Sequence, residues 1–162
     1  MFLGANCCLG SISAMLTAKG KYGLKALVHL AQFPPGELAL VADIASSNKI
    51  PKKFFDAILG DLRNAGIVQS RKGKGGGYRL ARPPEEIKVG SIVRVLDGPL
   101  APIPCASHTR YEACDDCDVA TCQVRHTMLN VRNAIAEVLD RTTLAQMRDA
   151  NGEVLPIELQ TA

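Results

Sequence analysis

The sequence has no tryptophan, and aromatic residues make up only 4% of its 162 positions. Its core must therefore be built from aliphatic side chains. No apolar run approaches the roughly 20 residues that a bilayer-spanning helix needs, so no membrane partner is expected. The first fourteen residues, MFLGANCCLGSISA, carry no charged side chain. A secretory signal begins with a basic stretch, so export is not expected and the protein is read as cytoplasmic. No nucleophile motif stands beside a histidine and an acid in the manner of a catalytic site, and no enzyme is expected. The glycine run at 72–77 is not a phosphate-binding P-loop, which requires G-x-x-x-x-G-K-[ST] ahead of a helix. Here GKGGGYRL leads towards a strand, with no Ser or Thr after a lysine.

Cysteine, by contrast, is concentrated. Four of the six cysteines fall in CASHTRYEACDDCDVATC, residues 105–122, spaced C-x8-C-x2-C-x4-C as Cys105, Cys114, Cys117 and Cys122. Clustered thiols inside a cell point to a metal, a cluster or redox chemistry rather than to structural disulfides. The segment is poor in large apolar residues, so coordination would have to hold it in shape. Four unrelated free thiols on a polar loop is the plain alternative, and Cys114-Asp115-Asp116-Cys117 also has the spacing of a dithiol redox pair. Cys7 and Cys8 lie in the N-terminal stretch and receive little weight.

Charge is unevenly spread. Residues 49–82 hold nine basic residues (Lys49, Lys52, Lys53, Arg63, Arg71, Lys72, Lys74, Arg79 and Arg82) against Asp56 and Asp61. The cysteine segment holds Glu112, Asp115, Asp116 and Asp118 against Arg110. This separates a polyanion-binding part from a sensing part.

Helical periodicity places a first helix from Thr17, an N-cap residue, to about Gln32, with Leu24, Leu27, Val28 and Ala31 on one face. His29, beside that stripe, reads as a packed core residue. A second helix is expected over Leu38–Ser46. A third, Lys52–Ala65, follows Pro51 and ends at Gly66, a natural left-handed cap. It should bury Phe54, Ile58 and Leu62, with Phe55 and Leu59 beside them. Lys52, Lys53, Asp56, Ala57, Gly60 and Arg63 should face outward. Two short helices joined by a tight turn form a helix-turn-helix, although a solvated bundle face has the same pattern.

The next stretch favours the first reading. Strands are expected at 67–71 and 78–81, joined by KGKGGG, whose glycines let the backbone approach a phosphate chain while Lys72 and Lys74 neutralise it. Tyr78 and Arg79 lead out of that loop. Together these elements make a winged helix-turn-helix: a mainly α fold with a small β-hairpin wing. Residues 87–96 form a short strand-to-helix segment.

From Cys122 to Arg141 the pattern is one long helix. Val124, Met128, Val131, Ile135 and Val138 step by 4, 3, 4 and 3, a coiled-coil seam, with Leu129 and Leu139 widening it towards the domain. The chain thus divides into an extension, disordered or ahead of a start at Met15 (1–14), a winged-helix domain (15–98), a cysteine-rich loop (99–122), a dimerisation helix (123–147) and a flexible tail (148–162).

The runs LTAKGKYGLKALVHLA, VADIASSNKIPKKFFDAILGDLRNAGIV, SRKGKGGGYRLARPPEEI and VGSIVRVLDGPL, with the cysteines behind them, resemble the Rrf-two family of bacterial transcription regulators across about residues 15–147. Its members include iron–sulfur regulators and nitric-oxide sensors. The resemblance implies a homodimer on double-stranded operator DNA, with long C-terminal helices crossing at the interface. It also implies a 2Fe–2S or 4Fe–4S cluster on three cysteines ahead of that helix, with a variable fourth, non-cysteine ligand. The sequence departs from the pattern in having a fourth cysteine and different spacings. If Cys105, Cys114 and Cys122 match the family triad, Cys117 is extra and would complete an all-thiolate site. Such a site suits an iron–sulfur cluster or tetrahedral zinc. His126, one helical turn beyond Cys122, and Asp118 are the weaker candidates for the fourth position. A zinc-stabilised or thiol-redox regulator without a cluster, or an electron-transfer protein, remains the alternative. The last of these leaves the basic wing without a purpose.

Overall fold

The computed structural model describes residues 15–150; the expectations for 1–14, including Cys7 and Cys8, and for 151–162 lie outside the described residues. Helix α1 (Ala18–Leu30) starts where Thr17 Oγ1 accepts from the backbone N–H of Lys19 and Gly20. Thr17 is itself anchored, its N–H and hydroxyl both donating to the Asp97 carboxylate at the far end of α4 (Val89–Asp97). A Cβ on Gly20 would strike Asp97 and one on Gly23 would strike Leu96. Glycine inside a helix costs about 1 kcal/mol relative to alanine; here it permits the close crossing of α1 on α4.

Helices α2 (Val41–Ser47) and α3 (Lys52–Asn64) form the helix-turn-helix. The turn between them contains Lys49, whose φ of 51° lies in the left-handed region. Helix α3 buries Phe55, Ile58, Leu59 and Leu62 against α1 and α4, where Leu24, Leu27, Leu30, Ile92, Val93 and Leu96 complete an aliphatic core. Phe54, expected among the buried residues, is half-buried with its ring 5.6 Å from Tyr22. The buried stripe is thus shifted one position, to Phe55. Asp56, Ala57 and Arg63 face solvent as expected, and Gly66 takes a φ of 69°.

Strands β1 (Val68–Arg71) and β2 (Gly77–Leu80) pair antiparallel with Val68 opposite Leu80 and Arg71 opposite Gly77. Ala39 joins this hairpin: its N–H donates to Tyr78 O, and its carbonyl accepts from Tyr78 N–H, both at 2.9 Å. That pairing holds the chain around Ala39 extended, so α2 begins at Val41 rather than at the expected Leu38. A long-range bridge overrides the local helical pattern there.

Helix α5 (Gln123–Arg141) is the longest element, and Ala136 is its one fully buried residue. It is fixed to α4 by Arg94, whose Nη1 and Nη2 donate to the two carboxylate oxygens of Asp140 at 2.6 and 2.8 Å. The single 123–147 helix expected from the sequence is two elements. Thr142 and Thr143 are extended, and α6 (Leu144–Asp149) restarts on a capping box between Thr143 and Gln146. Helix α6 packs back on α1, with Arg148 Nη1 donating to Ala31 O at 3.2 Å. The expected tail boundary at 148 therefore falls inside a packed helix.

The hydrogen bond from Arg94 holds the Asp140 carboxyl below its usual range. A carboxylate depressed on folding contributes stability above its unfolded pKa and loses it as pH falls through the folded value. Since the Asp140 side chain is 45% exposed, solvent screening limits the pair to about 0.2–1 kcal/mol. Asp140→Asn should lower the thermal midpoint slightly at neutral pH, and the gap between variant and parent should close in acid.

Candidate functional site

The nine basic residues of 49–82 converge only in part. Arg63 at the end of α3, Arg71 and Lys72 on the wing, and Tyr78 line one concavity of about 420 Å³, together with Leu40 and Val41 at the start of α2. Lys74 stands exposed at the hairpin tip, Lys49 in the helix-turn-helix turn, and Arg82 beyond the wing. Lys52 and Lys53 open α3; their side chains lie outside the described part. That helix begins with no side-chain cap and no acid in its first turn. The Phe54 N–H donates to Pro51 O at 2.9 Å, and the dipole of a helix N-terminus with no acid in its first turn favours an external anion.

Arg79 behaves differently from its basic neighbours. Its Nε and Nη2 donate to Gln69 Oε1 across the strand pair, and its Nη1 donates to Gly36 O. The guanidinium braces the wing against the loop after α1, a long-range role that its sequence position does not reveal. Leu40 and Val41, 49% and 41% exposed, are functional candidates that the sequence reading missed. Their exposure follows from the Ala39 bridge, which no local pattern signals.

The cysteine segment is built around the start of α5. Cys105 is buried in a short 3-10 turn, Pro104–Ala106, which packs on that helix. Cys122 is the N-cap of α5, its Sγ accepting from Arg125 N–H at 3.5 Å. Cys105, Cys114, Cys117 and Cys122 all line one cavity of about 330 Å³, with Glu112, Asp116, Val124 and Arg125. The four residues singled out in the sequence are thus brought to one place.

Within that cavity the thiols interact directly. Cys117 is pushed up to about 12, first by its hydrogen bond to Cys122, then by burial and by Cys114. Cys122 is pulled below its ordinary value, first by the Arg125 N–H and then by Cys117. Donor atoms of Cys114, Asp116 and Cys117 lie within 4.8 Å of one another. Metal binding needs thiolates and releases their protons; four cysteines and a carboxylate on one cavity form a donor set that fits a metal group.

The non-thiolate candidates sort differently from expectation. Asp118 is committed to its own turn, its carboxylate accepting from Ala120 N–H and Thr121 Oγ1–H. His126 is exposed and does not line the cavity. Asp116 has a carboxylate oxygen within 4.8 Å of the Cys114 and Cys117 sulfurs, and Glu112 lines the same cavity.

A helix-turn-helix, a basic glycine-rich wing and a cysteine-lined cavity at the start of a long, outward-facing helix define a winged-helix regulator with a thiol site. The chain matches the Rrf2 family, described as an iron-dependent transcriptional regulator, over residues 16–150. It belongs to that family, and is therefore a transcriptional regulator of a DNA-binding kind. It is 40% identical to a Rhodobacter capsulatus chain named rrf2-like HTH-type transcriptional regulator, over 82% of this chain and 91% of the other. The structure of CymR, named as the global cysteine regulator of Bacillus subtilis, superposes with a TM-score of 0.67. It is 34% identical, with 82% of this chain and 95% of CymR covered. IscR of T. potens superposes with the same TM-score at 32% identity, covering 92% of this chain and 96% of IscR.

Proposed function

We propose that the protein is a homodimeric regulator that binds operator duplexes and senses redox, iron–sulfur or nitric oxide status through its cysteine cavity. The observation that carries this reading is the meeting of all four thiols at the N-cap of α5. That helix leaves Val124 64% and Val131 39% exposed on its seam. Cys105, Cys114, Cys117 and Cys122 would hold an iron–sulfur cluster, with Asp116 as the oxygen donor nearby. Such a cluster supplies a centre whose oxidation state and nitrosylation respond to the cell. A protein that works on DNA acts in the cytoplasm of a bacterium.

The chain's own residues then link site to DNA. Cys122 caps α5, so a change in what its sulfur bonds alters the first turn of the helix that carries the seam. Half-sites on a duplex lie about one helical turn (~34 Å) apart, so a small shift of α5 in each protomer mis-registers one recognition helix when the other is docked. Coupling of this kind is typically ~1–3 kcal/mol, or ~5–150-fold in affinity. A tetrahedral zinc site is the second reading, favoured by the close grouping of Cys114, Asp116 and Cys117.

On the DNA side, Lys49, Lys52, Lys53, Arg63, Arg71, Lys72, Lys74 and Tyr78 are assigned to the duplex, with Arg79 holding the wing in place. Log affinity should fall with log salt by roughly 0.9 per phosphate neutralised. Lys72→Ala with Lys74→Ala should weaken binding to every sequence alike and flatten that slope by about 2. Changes at Lys52, Lys53 or Arg63 should instead alter base preference. A wing variant with the parent's affinity and salt slope, measured by fluorescence anisotropy, would remove the wing from the interface.

A further inference from the structure

Arg125 stands in the first turn of α5, where no acid accompanies it and the helix dipole disfavours a cation. Helix stability therefore does not account for it, and its contacts do. Nε donates to Cys105 O at 3.0 Å, and Nη1 donates to Val119 O at 3.5 Å. Its backbone N–H meets the Cys122 sulfur. One residue thus touches the buried 3-10 turn, the turn ahead of α5 and the cap of α5. Among the residues lining the cysteine cavity it alone is basic, and it forms no ion pair with a carboxylate among the described residues. Val124, its neighbour, lines the same cavity and begins the exposed seam.

We propose that Arg125 is the positioning residue that carries the state of the cysteine loop to the dimer helix, a role that rests on reading the loop as the sensing site. Its planar fork makes the Cys105 turn, the 118–122 turn and the first turn of α5 move as one body. A movement of the loop then displaces Val124 at the start of the seam. Without the fork, the loop changes while α5 stays where the Arg94–Asp140 pair holds it. Lysine preserves the charge but offers a compact ammonium in place of the two-armed donor, so it cannot hold both carbonyls in the same geometry.

Full-length parent, Arg125→Lys and Arg125→Ala are compared by two measurements. The first is hydrogen exchange in metal-free protein at Ala106 and Ser107, whose N–H groups donate to Ile103 O and Pro104 O. Both should exchange at least about tenfold faster in Arg125→Ala, because opening of the turn costs less without its tether. The second is duplex affinity of anaerobically purified protein before and after oxidant. The parent should change ~5–150-fold and Arg125→Ala less than about twofold, with Arg125→Lys losing more than half of the parent's factor. A full response in Arg125→Ala overturns the proposal even if exchange quickens, since the residue would then be structural only. A full response in Arg125→Lys, the variant that decides if alanine does not fold, assigns the effect to charge and overturns positioning. A parent that does not respond refutes the sensing reading and the coupling with it; exchange then still reports whether Arg125 holds the loop.

Discussion

Replacing Cys105, Cys114 or Cys122 by alanine is expected to remove most of the iron and the visible absorbance of protein purified without oxygen. Each thiol lines the one cavity, and thiols this close become jointly ionised only around a bound cation or cluster. Cys105 is also a packed core residue at 2% exposure, and Cys122 caps α5. Loss of iron could therefore reflect loss of fold at these two positions. Cys122→Ser separates the causes, because serine keeps a capping oxygen while removing the thiolate. Its helix content by circular dichroism should match the parent's while its iron is lost. Cys117→Ala should behave like the others if Cys117 is the fourth ligand. It should leave a labile cluster if a carboxylate takes that place, and the geometry makes Asp116 that carboxylate. The triple variant of Cys105, Cys114 and Cys122 should still bind DNA, since the wing and α3 lie outside the segment, but it should no longer respond to oxidant or nitric oxide. Full iron and an unchanged response in all four single variants would show that the cysteines are not the sensor.

The second large effect concerns assembly. Val124, Met128, Val131, Ile135 and Val138 make up the proposed dimer seam of α5, and the structure leaves Val124 and Val131 open to solvent. Aspartates at Val131 and Ile135 would bury like charges in a dimer, at a cost on the order of several kcal/mol per ion. Ile135, however, also packs against the domain's own core, so that pair tests folding as well as assembly. Val124→Asp with Val131→Asp is the cleaner pair, because neither side chain packs on the core; Val124 also lines the cysteine cavity, so metal content is measured alongside. Light scattering should show a monomer of parental helix content, with duplex affinity reduced because only one half-site can be held. A folded dimer carrying both aspartates would place the interface elsewhere.

The hairpin and helix α3 were legible in the sequence because local chemistry specifies them. KGKGGG favours a turn between two strands, and Ile58 and Leu62 need just one buried helical face, although the sequence placed Phe54 there and the structure buries Phe55. The four cysteines that line one cavity stood out in the sequence, but their geometry did not. No spacing reveals that Asp118 is spent on Ala120 and Thr121, or that Asp116 faces the thiols. Helix α6 could have been found, since Thr143-Leu-Ala-Gln146 is a capping-box signature; the heptad pattern running up to Arg141 masked it. The start of α2, the brace made by Arg79 and the fork of Arg125 depend on partners far away in sequence, and no local pattern carries them.

The visible absorption spectrum of the protein purified under anaerobic conditions tests the central claim most directly. A cluster held by the four cysteines gives charge-transfer bands in the visible that bleach when oxidant or nitric oxide is added. A colourless protein with stoichiometric zinc, or with four free thiols and no metal, would contradict an iron–sulfur sensor at this site.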